Sequence, residues 1–129
     1  MSALRVVLDT NILVSALLSP LGKPAKIYKM FLAGTLDLVI SVEIFAEYQE
    51  VLRRPRLKIP AADLETVLAA IGQYGEMIAP LPGSDAMIDE DDRIFYDAAK
   101  SAGAYLVTGN TKHYPGEAFI FTPAEFLAL

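Results

Sequence analysis

The sequence predicts an α/β fold, a three-layer α/β/α sandwich around a mostly parallel sheet of about five strands. Two observations carry this expectation. The largely apolar runs Leu4-Arg5-Val6-Val7-Leu8, Leu36-Asp37-Leu38-Val39-Ile40 and Ala104-Tyr105-Leu106-Val107-Thr108 read as strands buried on both faces. Helical patterns separate these runs, and each link is too long for a hairpin, so the strands run parallel.

Taken in order, the first strand ends at Asp9-Thr10-Asn11, and a short helix from Asn11 to Leu18 stops at Ser19-Pro20-Leu21-Gly22. Pro24 starts a second helix that runs to about Ala33, where Gly34 ends it. After the Leu36–Ile40 strand, Ser41 caps a helix from Val42 to about Arg54, broken by Pro55. A further helix spans about Pro60 to Tyr74, and Glu76 to Ala79 reads as a short strand. Pro80 to Glu90 is a loop rich in Pro, Gly, Ser and Asp that leads into a helix from about Asp91 to Ala102, closed by Gly103. The fourth strand breaks at Gly109-Asn110. Phe119-Ile120-Phe121 is a last short strand, and Thr122-Pro123 caps a terminal helix.

The chain has 129 residues, 53% of them apolar, which fits one domain over residues 1–129 with an ample core. It lacks cysteine, which excludes thiol catalysis, disulfides and thiolate metal sites. No charged leader precedes a long apolar run, and no apolar window reaches the roughly 18 residues needed to cross a bilayer. A soluble, cytoplasmic protein without membrane contact is expected. A net charge of −5 argues against nucleic-acid binding by bulk electrostatics, unless local basic patches and a bound cation offset it. Two such patches exist. Lys23, Lys26 and Lys29 share one side of a helix, and Arg53, Arg54, Arg56 and Lys58 gather at the end of another.

Asp9 closes a buried strand, the position where parallel α/β sheets place their chemistry. It is either a helix N-cap or a ligand. In the third helix Ile44, Phe45, Tyr48, Val51 and Leu52 form the apolar stripe. Glu47 lies at its edge, about 40° from Val51 and about 60° from Ile44, whereas Glu43 and Glu50 face solvent. Asp92 shares a face with Phe95, Tyr96 and Ala99, a stripe on which a carboxylate needs a partner or a cation. Asp97 projects about 140° away from it, and Asp89, Glu90 and Asp91 suit the positive end of the helix dipole. Thr108-Gly109-Asn110 repeats at the fourth strand the ending seen at Asp9-Thr10-Asn11. Asp9, Glu47, Asp92 and Asn110 are therefore expected around one concave site. Their oxygen donors suit Mg²⁺ or Mn²⁺ and not zinc.

These pieces together resemble the PIN-domain family, and within it the small prokaryotic toxin components of toxin–antitoxin pairs. The resemblance rests on Val6-Val7-Leu8-Asp9-Thr10-Asn11, on Glu47, and on Asp92 followed by a helix of small residues into Gly103-Ala104-Tyr105-Leu106-Val107-Thr108-Gly109-Asn110. It implies a metal-dependent ribonuclease in which Asp9, Glu47 and Asp92 are the catalytic acids. It also implies that Thr10, Asn11 and Thr108 orient those carboxylates, with products ending in a 5′-phosphate and a 3′-hydroxyl. An RNA substrate, a separately encoded antitoxin and a homodimer follow from the same likeness. Lys112 and His113 are placed to meet a substrate phosphate, although a His beside the Tyr114-Pro115 turn also serves a structural role.

One position departs from the family pattern. Where many PIN domains carry a fourth acid, this chain has Asn110, whose amide adds no charge and weakens the case for a second metal. Two rival readings stand beside the nuclease. A phosphotransferase with a nucleophilic Asp9 needs a second Asp two residues later, where Asn11 stands. A binding or regulatory module that keeps the fold without catalysis draws on Asn110 and the acidic balance.

Overall fold

The computed structural model describes residues 4–129; residues 1–3 of the expected 1–129 domain lie outside it. Five strands form one all-parallel sheet in the order β3-β2-β1-β4-β5: β1 (Leu4–Leu8), β2 (Leu36–Ile40), β3 (Glu76–Met77), β4 (Tyr105–Val107) and β5 (Ile120–Phe121). The helices among the described residues are α1 (Thr10–Leu18), α2 (Lys23–Leu32), α3 (Val42–Leu52), α4 (Ala61–Tyr74), α5 (Arg93–Ala102) and α6 (Pro123–Leu127).

Successive side chains of a strand point to opposite faces, so a run that is buried throughout must be covered on both. Val6, Val7 and Leu8 are fully buried, as are Leu38 and Val39, with Ile40 1% exposed. The central strands are therefore sandwiched between helices. α5 packs on β1 and β2, while α1 contacts α2 and α3, and α2 contacts α6. Tyr48 of α3 is wholly buried and its hydroxyl donates to the Leu8 carbonyl, which ties α3 to the end of β1.

Element ends follow local chemistry. Ser41 accepts from the Ile44 amide at the start of α3, and α3 stops at Leu52, two residues short of the expected Arg54. Pro55 then opens a single 3-10 turn, Pro55–Leu57. α5 is preceded by a 3-10 turn, Glu90–Asp92, and ends where Gly103 takes up a left-handed backbone, φ 63°, that a side chain would strain. At α6 the Thr122 side chain and Glu125 make a reciprocal capping box.

The strand order fixes where a site forms. From β1 the chain moves outward through β2 and β3, then returns to add β4 and β5 on the other flank. The crevice outside the carboxyl ends of β1 and β4 is thus the topological switch point, the place where open parallel sheets bind ligands.

Candidate active site

Asp9 follows the last residue of β1, and its amide donates to the Val107 carbonyl of β4 at 3.0 Å, so the backbone is pinned at the switch point. It occupies the N-cap position of α1 yet makes no side-chain capping bond. Its carboxylate turns instead to β4 and beyond. Thr108 Oγ1 donates to Oδ2 at 2.9 Å and the Tyr114 hydroxyl donates to the same oxygen at 3.1 Å. Among the described residues Oδ1 has no donor. A carboxylate only 7% exposed is thereby held in one orientation with one oxygen uncommitted.

Glu47 reaches the same place from α3. The Thr10 hydroxyl donates to its Oε2, so the first residue of α1 ties the two elements together. Arg54 pairs with Glu50 rather than with Glu47. Asp92, at the N-cap position of α5, makes no capping bond either. Burial pushes its carboxyl up to about 6, and the neighbouring charges of Asp9, Asp89 and Glu47 add to the rise while His113 opposes it.

Asp9, Glu47 and Asp92 line one cleft of about 500 Å³, together with Thr10 and Asn11. Asp89 and Asp91 line it too, although Asp89 also caps its own turn by accepting from the Asp91 amide. Arg54, Arg56 and Leu57, from the segment after α3, line the same cleft as these five acids. Asn110 is exposed and does not line the cleft; its amide donates to Thr108 Oγ1 at 3.1 Å, and a 3-10 turn, Thr111–His113, follows. Lys112 and His113 are exposed on that turn.

Sequence reasoning missed Tyr114, which is 3% exposed and 105 positions from the carboxylate it serves. Burial and the charges of Asp9 and Asp92 hold its phenol far above the usual tyrosine range, so it remains a donor. Asp97 was also underrated by helix geometry. It is buried on the far side of α5, where Oδ2 accepts from the Gly83 amide at 3.0 Å.

The donors suit a hard cation. They are all oxygens, and beside burial the charges of Asp9, Asp89 and Glu47 push the Asp92 carboxyl up. Among the described residues no three acids or histidines form a ready ligand cage. Mg²⁺ keeps several of its waters and is bound through one or two carboxylates, a mode that needs no such cage.

The PIN domain model matches residues 5–112, from within β1 to the turn after β4. The chain belongs to the PIN domain family. This PIN domain is 28% identical over 110 residues to the protein MJ1680 of Methanocaldococcus jannaschii, covering 83% of this chain and 71% of that protein. Its fold is similar to a chain in the crystal structure of VapBC2 from Rickettsia felis bound to a DNA fragment from their promoter. The TM-score is 0.61 at 20% identity, over 92% of this chain and 97% of that one.

Proposed function

We propose that this PIN-domain protein is a divalent-metal-dependent endoribonuclease, the toxin component of a toxin–antitoxin pair. One observation carries the reading. Asp9, Glu47 and Asp92 come from three separate elements and line one cleft at the switch point of the sheet, with two donors fixing Asp9.

In this reading Asp9, Glu47 and Asp92 hold Mg²⁺ or Mn²⁺, directly or through water, and Asn110 stands near enough in sequence to Thr108 to join them only if its turn moves. The cation supplies activation of a water and charge neutralisation at the phosphodiester. The chain's own residues do the positioning. Thr108 and Tyr114 hold Asp9 by Oδ2 and leave Oδ1 without a donor among the described residues, and Thr10 steadies Glu47. Lys112 and His113 reach substrate phosphate from the rim. The products end in a 5′-phosphate and a 3′-hydroxyl.

A separately encoded antitoxin, a homodimer and a cytoplasmic location belong to the same proposal. The fold shared with a chain of the VapBC2 structure supports the partner, and no helix among the described residues is long and apolar enough to cross a membrane. The test is cleavage of single-stranded RNA with Mg²⁺ or Mn²⁺, set against chelator and against Asp9→Asn and Asp92→Asn. Cleavage that needs the metal and both acids is expected, along with growth arrest on induced expression that Asp92→Asn relieves. The rival reading, a non-catalytic module, is favoured by Asn110 standing exposed where an acid would add charge. Metal-dependent cleavage absent from the Asp9→Asn protein would eliminate it.

A further inference from the structure

The cleft is lined by both acids and arginines, and its two arginines are not equivalent. Arg54 is engaged by Glu50 at 2.9 Å, and Arg53 nearby is engaged by Glu65 at 3.2 Å, outside the cleft. Arg56 lines the cleft, is exposed, and has no ion pair or side-chain hydrogen bond among the described residues, although five acids line the same cleft. A guanidinium left unpaired in such company is available to another anion.

Its mounting is rigid. Pro55 fixes the entry to the 3-10 turn, the Leu57 amide donates to the Arg54 carbonyl at 3.0 Å, and the Lys58 amide donates to the Pro55 carbonyl at 3.1 Å. Lys58 then reverses the chain with a left-handed backbone, φ 55°, which stops the turn from extending into a helix. Leu57 faces the cleft beside Arg56 and supplies an apolar surface next to the charge. A planar fork with fixed donors matches a phosphate in two-point contact, and a short stiff turn loses little entropy in making it.

We infer that Arg56 binds a phosphate of a single-stranded polynucleotide adjacent to the one at the acids. This rests on the nuclease reading and deepens it. The acids alone repel a polyanion, and a cation at Asp9 and Asp92 neutralises only the phosphate it touches. A second phosphate needs its own partner, and among the described residues Arg56 is the guanidinium lining the cleft without an ion pair. Loss of it should weaken binding without disturbing the carboxylates.

The experiment uses the full chain with Asp92→Asn, which removes cleavage, and a fluorescein-labelled single-stranded RNA whose anisotropy is followed across a salt series. With Arg56→Ala added, affinity should fall about tenfold and the salt slope should shrink by about 0.7, the loss of one phosphate contact on a single strand. Arg56→Lys should restore the slope but only part of the affinity, since it keeps the charge and loses the fork. Arg53→Ala should match the parent. An Arg56→Ala protein with the parent's affinity and slope overturns the inference while leaving the nuclease reading intact. A parent that shows no salt-dependent binding, and a wild-type protein that cleaves no RNA, would remove both together.

Discussion

The Tyr114 hydroxyl and the Thr108 hydroxyl donate to the same oxygen of Asp9, Oδ2, so a buried carboxylate is clamped from one side and open on the other. Tyr114→Phe keeps the ring in its pocket and removes one donor. Hydrogen bonds to charged groups contribute about 1.5–3 kcal/mol, but Thr108 continues to serve the oxygen, so a loss of about 1–2 kcal/mol is expected. Urea unfolding in the presence of chelator measures it. An unchanged midpoint would mean that Tyr114 packs without holding Asp9.

Thr108 has more to lose. Its Oγ1 donates to Asp9 and accepts from the Asn110 amide, so one hydroxyl joins the carboxylate to the loop after β4. Thr108→Val keeps the shape and removes both bonds, leaving Tyr114 as the one donor to Asp9 Oδ2 among the described residues. It should destabilise the protein by about 2–3 kcal/mol and abolish cleavage, whereas Thr108→Ser should retain most of both. A Val variant as stable as the Ser variant would contradict this assignment.

The central sheet was legible because burial on both faces leaves its mark in consecutive apolar residues, as in Val6-Val7-Leu8 and Leu38-Val39-Ile40. Helix periodicity likewise picked out Asp92 and the edge position of Glu47, and both line the cleft. Long-range partners left no such mark. Tyr114 sits in a turn whose local sequence says nothing about Asp9, and Arg56 lines the cleft from a 3-10 turn that Pro55 opens and Lys58 closes. Asn110 shows the opposite error. The likeness of two strand endings placed it at the cleft, yet the 3-10 turn that follows β4 leaves it exposed outside.

Gly83 gives a test away from the site. A Cβ there would lie 2.6 Å from Asp97 Oδ1, a buried oxygen without a hydrogen-bond partner among the described residues. Arg93 approaches the same oxygen at 3.6 Å and donates to the carbonyls of Gly83 and Asp85, so the loop over α5 has little room to shift. Gly83→Ala should therefore cost about 1–3 kcal/mol by overpacking. The metal dependence of cleavage should be unaltered, because Asp97 does not line the cleft. A thermal melt together with a metal titration separates the two effects.

Asp92 ties stability to pH and metal. Its carboxyl has an ordinary value of 3.8 and stands at about 6 in the fold, chiefly because burial penalises the charge. The folded value is the higher one, so the neutral form favours folding. That contribution is fully present below 3.8 and is lost as pH rises through about 6. In chelator at neutral pH the wild-type protein therefore carries a charged Asp92 that the fold resists. Asp92→Asn, which keeps the shape and removes the charge, should melt higher than wild type under those conditions, and the gap should close as the pH falls towards 4. Adding Mg²⁺ should raise the melting temperature of wild type and leave the variant nearly unmoved, because a ligand stabilises only the form that binds it. Melts in chelator and in Mg²⁺ across this pH range decide the matter. A variant that melts below wild type at every pH without metal would show that Asp92 serves the fold as a structural acid and not as a charge held ready for a cation.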